Sequence, residues 1–257
     1  GYWISIWCGN AAIAVAGVGY LSSFFPSLKE DQTLSVLISI GALWVFTIIN
    51  TLDIRSVGKV QLITTIIKII PLLLLGTVGF LSFNPGHFSP LNRSGESPFD
   101  AITATAALAL WAFLGLESAT IPSDRVKDPA RTIPRATIAG VSGAALLYIS
   151  STMGIMGIIA PAELQHSAAP FADAAGQIWG KTASNLVALC AAIACFSALN
   201  GWILLQGRFP MAAARDRLFP GVFGKVSGKE VPLGGLIIGS VLASFLAIMN
   251  HSNGLAG

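Results

Sequence analysis

The sequence predicts an all-α, multi-pass membrane protein, and two observations support this fold class. Of the 257 residues, 54% are hydrophobic and 11% are charged, whereas about a quarter of the residues in an ordinary soluble domain are charged. The apolar residues also fall into runs of roughly 20 residues, the length that an α-helix needs to cross about 30 Å of hydrocarbon. The alternating segments of about 10 residues that are typical of a membrane β-barrel do not occur in the sequence.

Seven apolar runs qualify as membrane spans, and most of the charged residues lie between them. Because the chain starts at Gly1 without a Met and ends at Gly257 just after an apolar run, we expect one transmembrane domain, 1–257, that is truncated at both ends. A seven-helix protein with clipped termini is the alternative. The runs cover residues 2–25, 34–52, 60–83, 101–122, 136–159, 183–205 and 233–250.

The basic residues give the spans a direction. Of the 15 Lys and Arg, eleven fall in the segments 53–59, 123–135 and 206–232, and three fall in the other loops. By the positive-inside rule the first three segments are cytoplasmic loops, so the first run passes from the inside to the outside. The basic residues form no continuous stripe, which argues against a nucleic-acid partner and leaves the lipid bilayer as the expected surroundings.

Two further helices are predicted between the spans. Phe209–Phe223 carries Pro210 and Pro220 near its ends and is interpreted as a short amphipathic helix in a cytoplasmic loop. Pro170–Trp179 starts with a proline, which is favoured in the first turn of a helix. This second helix would lie in an outer loop, either as a lid over a vestibule or as a plain surface helix.

Glu117 and Lys68 are charged residues within apolar runs. A charge at the centre of a membrane helix costs about 2.5–3.5 kcal/mol, so such residues usually face a bundle interior or a water cavity. Glu117 follows Gly115 and precedes Pro122, which predicts a discontinuous helix that exposes backbone groups to a substrate. Both residues are candidates for proton coupling or pH sensing. A structural hydrogen bond for Glu117 and a snorkelling stem for Lys68 are the alternatives.

Trp111 and Trp202 each lie in the middle of a run beside small or polar residues. An aromatic face in a cavity can bind a cation, which is worth about 2 kcal/mol or more when the pair is desolvated. Packing in the core is the alternative for both. Asn10 and Asn50 are amides within runs, so they are expected either to form interhelical hydrogen bonds or to line a site.

The sequence predicts no metal ion, no cofactor and no enzyme active site. Cys190 and Cys195 are five residues apart on one predicted helix, which is poor spacing for a shared metal and is typical of buried apolar cysteines. The histidines fall in or beside loops, so no catalytic triad is predicted at membrane depth. A receptor or structural membrane protein is a further alternative, but neither needs a broken helix or Glu117.

Three segments carry a family resemblance: Trp111–Ser118 (WAFLGLES), Lys127–Thr137 (KDPARTIPRAT) and Gly201–Leu205 (GWILL). With these the chain resembles the amino acid–polyamine–organocation superfamily. Within it, the chain is most similar to bacterial basic amino-acid/polyamine antiporters of the arginine/agmatine type. The resemblance implies a twelve-helix fold with a five-plus-five inverted repeat, of which our seven runs would be the third to ninth helices. The family's first helix, whose broken segment holds the substrate carboxylate, would precede Gly1.

The resemblance also implies roles for individual residues. Tyr2 corresponds to a gating tyrosine, and Trp111 to the aromatic gate that covers the bound substrate. Leu114 corresponds to the position beside the helix break, where backbone carbonyls receive the substrate α-amino group. Glu117 corresponds to the glutamate of substrate coupling and pH response, and Trp202 to the tryptophan that packs on the aliphatic stem of the substrate.

Asn10 corresponds to a site-lining asparagine, whereas Asn200 stands where similar antiporters have Gly and would alter the distal pocket. Lys68 also departs from the pattern, because the arginine/agmatine type has an apolar residue there, whereas proton-coupled carriers elsewhere in the superfamily often have lysine. Two functions therefore stay open. One is exchange of a cationic amino acid such as arginine for its decarboxylated amine, such as agmatine, across the bacterial inner membrane. The other is a proton-coupled amino-acid permease that uses Lys68. The full-length protein is expected to form a homodimer in either case.

Overall fold

A computed structural model describes residues 1–52, 57–111, 113, 115, 128–226 and 231–255, with the backbone alone at 57–63, 111 and 250–255. Within these ranges every regular element is helical, so the predicted all-α class is confirmed. In the described ranges, short 3₁₀ segments accompany the α-helices at Val78–Ser82, Pro85–Phe88 and Gly221–Gly224. The α-helices are α1 (Tyr2–Leu21), α2 (Ser27–Glu30), α3 (Gln32–Thr51), α4 (Val57–Thr77), α5 (Pro98–Trp111), α6 (Pro129–Ile158), α7 (Pro161–Leu164), α8 (Pro170–Trp179), α9 (Lys181–Arg215) and α10 (Leu233–Leu255).

Several of these helices have the length and composition of membrane spans. In the described part of the chain two more are apolar but shorter, Pro98–Leu110 and Leu233–Met249. Large apolar side chains on the helices, such as Leu108, Leu186 and Phe245, are mostly exposed, as expected for surfaces that face lipid. The five full-length candidates are Tyr2–Leu21, Gln32–Thr51, Thr64–Ser82, Pro129–Ile158 and Lys181–Arg215.

One compact unit comprises residues 1–71 and 166–257. In this unit α1 and α9 run antiparallel. The Tyr2 ring lies 4.8 Å from the Phe209 ring near one end of the pair. Near the other end, Gly17 is so close to Phe196 that an added Cβ would lie 3.0 Å from its ring. Helices α3 and α10 complete the unit's main apolar core, to which four helices contribute side chains such as Ala14, Leu43, Leu199, Ile203 and Leu236.

Helix α9 continues through Pro210 to Arg215. The predicted loop from residue 206 and the predicted separate helix at Phe209–Phe223 are therefore wrong over residues 206–215. A proline in a helix lacks the N–H that would bond the carbonyl four residues earlier, which here is the carbonyl of Gln206. Trp3 on α1 supplies the missing donor, because its Nε1 lies 3.0 Å from the Gln206 carbonyl oxygen. The helix can continue because a neighbouring helix satisfies the group that Pro210 leaves free.

We expect Trp3→Phe to destabilise the full-length protein by about 1–2 kcal/mol, since it leaves the Gln206 carbonyl without its donor while keeping an aromatic ring. Trp3 also packs edge-on against Phe219 and Phe223, and a phenyl ring can retain those contacts. The measurement is the thermal unfolding of the detergent-purified protein. Trp179→Phe, at an exposed position on α8, is the matched control. Equal unfolding temperatures for the two variants would contradict this account of Pro210.

The predicted outer-loop helix at Pro170–Trp179 is confirmed as α8. It starts with Pro170 and ends where Gly180 adopts φ +80°, a left-handed conformation that favours glycine. Three of its own residues, Ala172, Ala174 and Ala175, are fully buried. Whether α8 acts as a lid stays a prediction.

The second compact unit comprises residues 72–165. Here the end of α4 approaches α6 so closely that the contact depends on glycine. A Cβ at Gly76 would lie 2.7 Å from the Ser150 hydroxyl oxygen, and one at Gly154 would overlap the Leu75 carbonyl oxygen. Close contacts through small residues are a usual way for helices to associate in membranes, where burial of apolar surface provides little drive.

Candidate functional site

Asn10 and Trp202 are the predicted site residues that the structure brings to one level of the first unit. Asn10 on α1 is fully buried, and its Nδ2 donates to Oε1 of Gln206 at 2.8 Å. Trp202 is partly buried on α9 and lies one turn before Gln206, so both residues occupy the same face of that helix. The antiparallel register that sets Tyr2 beside Phe209 places Asn10 level with Trp202. Two amides therefore meet between α1 and α9, and Trp202 lies one turn before Gln206 on the same face of α9.

Tyr2, the predicted gating residue, lies two turns of α1 before Asn10 and packs edge-to-face on Phe209. It therefore belongs to the same α1–α9 pair as Asn10 and Trp202. Its role as a gate stays a prediction.

Asn200 points to a different side of α9 from Trp202. Residues two apart on a helix are separated by about 200° around its axis. The Asn200 Oδ1 accepts a hydrogen bond of 2.8 Å from Nδ2 of Asn50 on α3, which also donates to the Phe46 carbonyl at 2.8 Å. The interhelical hydrogen bond predicted for Asn50 is confirmed. The predicted role of Asn200 in a distal pocket stays a prediction. The structure adds that its side chain is bonded to α3.

Lys68 lies on the side of α4 that faces protein. Thr64, one turn earlier on the same face, has its hydroxyl oxygen 2.7 Å from that of Ser197 on α9. Lys68 itself is partly buried, whereas the neighbouring Ile66 and Ile70 are exposed. This position fits a lysine held within the bundle better than one whose stem snorkels along lipid.

The predicted break beside Trp111 is visible at Gly115. Trp111 is the final residue of α5, and the Phe113 N–H donates to the Leu110 carbonyl at 3.1 Å. Gly115 has φ +96°, which a right-handed helix does not contain, so the helix does not pass unbroken through this residue, as predicted. The Trp111 side chain, Leu114 and Glu117 lie outside the described residues, and their site roles stay predictions.

Gln206 is the residue that sequence reasoning missed. It was assigned to the start of a cytoplasmic loop, but it is 0% exposed and contacts both α1 and α10. A signal was present in the sequence, since an amide four residues after Trp202 must share the tryptophan's face if the helix continues. Pro210 concealed that continuation.

Membrane-length helices, a helix interrupted at Gly115 and buried amides that bond between helices are together typical of a multi-pass membrane protein. The chain matches the Amino acid permease family over residues 1–255, and it belongs to that family. The resemblance inferred from the motifs is thereby confirmed.

Two kinds of relative refine this assignment. The chain is 35% identical over 260 residues to the cadaverine/lysine antiporter of Escherichia coli K12. It is 32% identical over 255 residues to the putrescine transporter PotE, both from Haemophilus influenzae Rd and from E. coli K12. Each match covers 99% of this chain and 58% of the relative, so the chain spans a little over half the length of these relatives.

Proposed function

We propose that the full-length protein is an antiporter that exchanges a basic amino acid for its decarboxylated amine across the bacterial inner membrane. The observation that carries the proposal is the similarity along 99% of the chain to a cadaverine/lysine antiporter. Basic amino acids and their amines share a cationic end, and amide oxygens and aromatic faces are suitable partners for such a group.

The substrate pair is the finer part of the proposal. The motifs favour arginine and agmatine, whereas the similar proteins act on lysine, cadaverine and putrescine. All of these substrates have a donor-rich cationic end on an aliphatic stem. In our proposal Trp202 packs on the stem and Asn10 lines the site. Trp111 and Tyr2 would close the site, and Glu117 would couple it to protons.

The orientation in the membrane follows the charge pattern. We propose that 53–59, 123–135 and the part of 206–232 beyond α9 are cytoplasmic, because these segments hold nine of the 15 basic residues. Arg215, the last residue of α9, would then lie at the cytoplasmic surface. A homodimer of the full-length protein belongs to the same proposal.

A proton-coupled permease is the second candidate, and the position of Lys68 favours it. A lysine on the protein-facing side of α4 can exchange a proton with a bundle interior, whereas a lipid-facing lysine has no such use. The two candidates differ in what drives uptake, so one assay separates them.

The test is counterflow in proteoliposomes that contain the full-length protein. Vesicles are loaded in turn with arginine, agmatine, lysine, cadaverine, ornithine, putrescine or glutamate, and labelled arginine or lysine is added outside. We expect uptake only into vesicles loaded with a basic amino acid or its amine, and the most effective pair identifies the substrates. Uptake into empty vesicles under a pH gradient alone would replace antiport with proton-coupled transport. Equal counterflow with glutamate would contradict a cationic substrate.

A further inference from the structure

A chain of buried polar side chains crosses the four-helix core of the first unit. It consists of Asn10 on α1, Gln206 on α9, Ser240 on α10 and Thr47 on α3, and none of the four is more than 2% exposed. Gln206 bonds Asn10 at 2.8 Å and Ser240 at 3.1 Å, and the Ser240 and Thr47 hydroxyl oxygens are 2.6 Å apart. The Gln206 Nε2 also donates to the carbonyl of Leu236 at 3.0 Å.

Backbone carbonyls fix the direction of every bond in this chain. Thr47 donates to the Leu43 carbonyl at 2.7 Å, so the proton between the two hydroxyls must come from Ser240, whose oxygen then accepts from Gln206. The Leu236 carbonyl can only accept, so the Gln206 atom that faces it must be the amide nitrogen. The Gln206 oxygen therefore faces Asn10, and Asn10 must present its amide nitrogen in return.

The consequence is that the Asn10 carbonyl oxygen points away from Gln206. This oxygen is buried, and among the described residues it has no hydrogen-bond partner. The same holds for Nε1 of Trp7, three residues earlier on the same face of α1. A buried acceptor without a partner costs about 1–3 kcal/mol, and this free-energy cost is removed when a donor binds to it. Rotating the Asn10 amide would place its oxygen against the Gln206 oxygen, so Gln206 prevents the rotation.

The unit is shaped around the Gln206 side chain. An added Cβ at Gly239 on α10 would lie 2.5 Å from Cγ of Gln206 and 2.6 Å from its Nε2. Only glycine at this position leaves room for the amide between α1 and α10. The contact at Gly239 is independent of the hydrogen bonds and indicates the same arrangement.

We propose that Gln206 is a specificity-determining positioning residue. By holding the Asn10 amide in one orientation, it presents an acceptor to the substrate end that arrives level with Trp202. The site therefore takes an ammonium or guanidinium group and rejects a carboxylate or a neutral end that cannot donate. This inference rests on the proposed function, because it assumes that Asn10 lines the substrate site.

The experiment compares the counterflow of basic probes and their neutral analogues in the full-length protein. Lysine is paired with norleucine, whose uncharged end carries no hydrogen-bond donor. We expect Gln206→Met to lower the preference for the basic member by about tenfold or more, because the freed Asn10 amide can turn its nitrogen toward the substrate. Gln206→Glu should keep the wild-type preference, since a buried protonated acid can donate to Leu236 and accept from Asn10.

Two further variants separate positioning from a general structural effect. Asn10→Asp in the Gln206→Met background should restore the preference, because a carboxylate presents oxygen in either orientation. Thr47→Val, which breaks the far end of the chain, should keep the preference, since Leu236 alone fixes Gln206. If Gln206→Met does not accumulate, Gln206→Asn replaces it, being too short to bridge Leu236 and Asn10, with the same loss expected.

The outcomes distinguish this inference from the proposed function. If the wild-type protein does not prefer lysine over norleucine, the proposed function is overturned, and the inference with it. If the wild-type protein has that preference and folded Gln206→Met retains it in full, the role of Gln206 alone is overturned.

Discussion

Trp202→Ala is expected to reduce exchange by about thirtyfold or more while leaving the fold intact. Trp202 lies level with Asn10 and on the face of α9 that carries Gln206. A desolvated cation on an aromatic face is worth about 2 kcal/mol or more, which converts to roughly thirtyfold in binding. The ring would also cover the aliphatic stem that basic amino acids and their amines share. Trp111→Leu is expected to have a similar effect, because its family role is to close the same site.

The measurement is the exchange of labelled lysine and arginine in proteoliposomes, with the amount of folded protein determined by size-exclusion chromatography. Trp179→Ala removes a partly exposed tryptophan from α8 and serves as the matched control. Wild-type exchange by Trp202→Ala would remove Trp202 from the substrate site. A loss of monodisperse protein would instead assign Trp202 to core packing.

Gly235→Ala is expected to destabilise the full-length protein by about 1–3 kcal/mol, the usual cost of overfilling a packed core. A Cβ at this position of α10 would lie 2.9 Å from both the Cα and the carbonyl oxygen of Gly207 on α9, and 2.8 Å from Cγ of Pro210. Two of these atoms are backbone, so the helices themselves must separate. Separation would also move Leu236 away from Gln206.

Gly41→Ala on α3 provides the comparison, since an added Cβ there meets no described atom within 4 Å. Alanine is favoured over glycine in a helix by about 1 kcal/mol, so Gly41→Ala should be neutral or stabilising. The unfolding temperatures of both variants in detergent test this. If Gly235→Ala unfolds at the same temperature as Gly41→Ala, the close approach of α9 and α10 is contradicted.

Much of the fold could be predicted from sequence, because it depends on local properties. The composition and the long apolar runs predicted membrane helices, because within lipid a helix pairs its own backbone N–H and C=O groups. The start of α8 at Pro170 and its end before Gly180 follow from the conformational limits of these residues themselves. Gly115 likewise marked an interruption that its positive φ confirms. The motifs identified the family for the same reason, since they are local in sequence.

The tertiary structure alone decided which polar groups meet. Pro210 indicated a helix end, but Trp3, about two hundred residues away, supplies the donor that lets α9 continue. Gln206 became a candidate only because that helix continues. The sequence did not indicate that Asn200 bonds Asn50 on α3. The sequence by itself determined that long apolar helices form and that they have the length and composition of membrane spans. Hydrogen bonds between helices need their partners' positions and orientations, so only the packed fold could decide which amides bond each other.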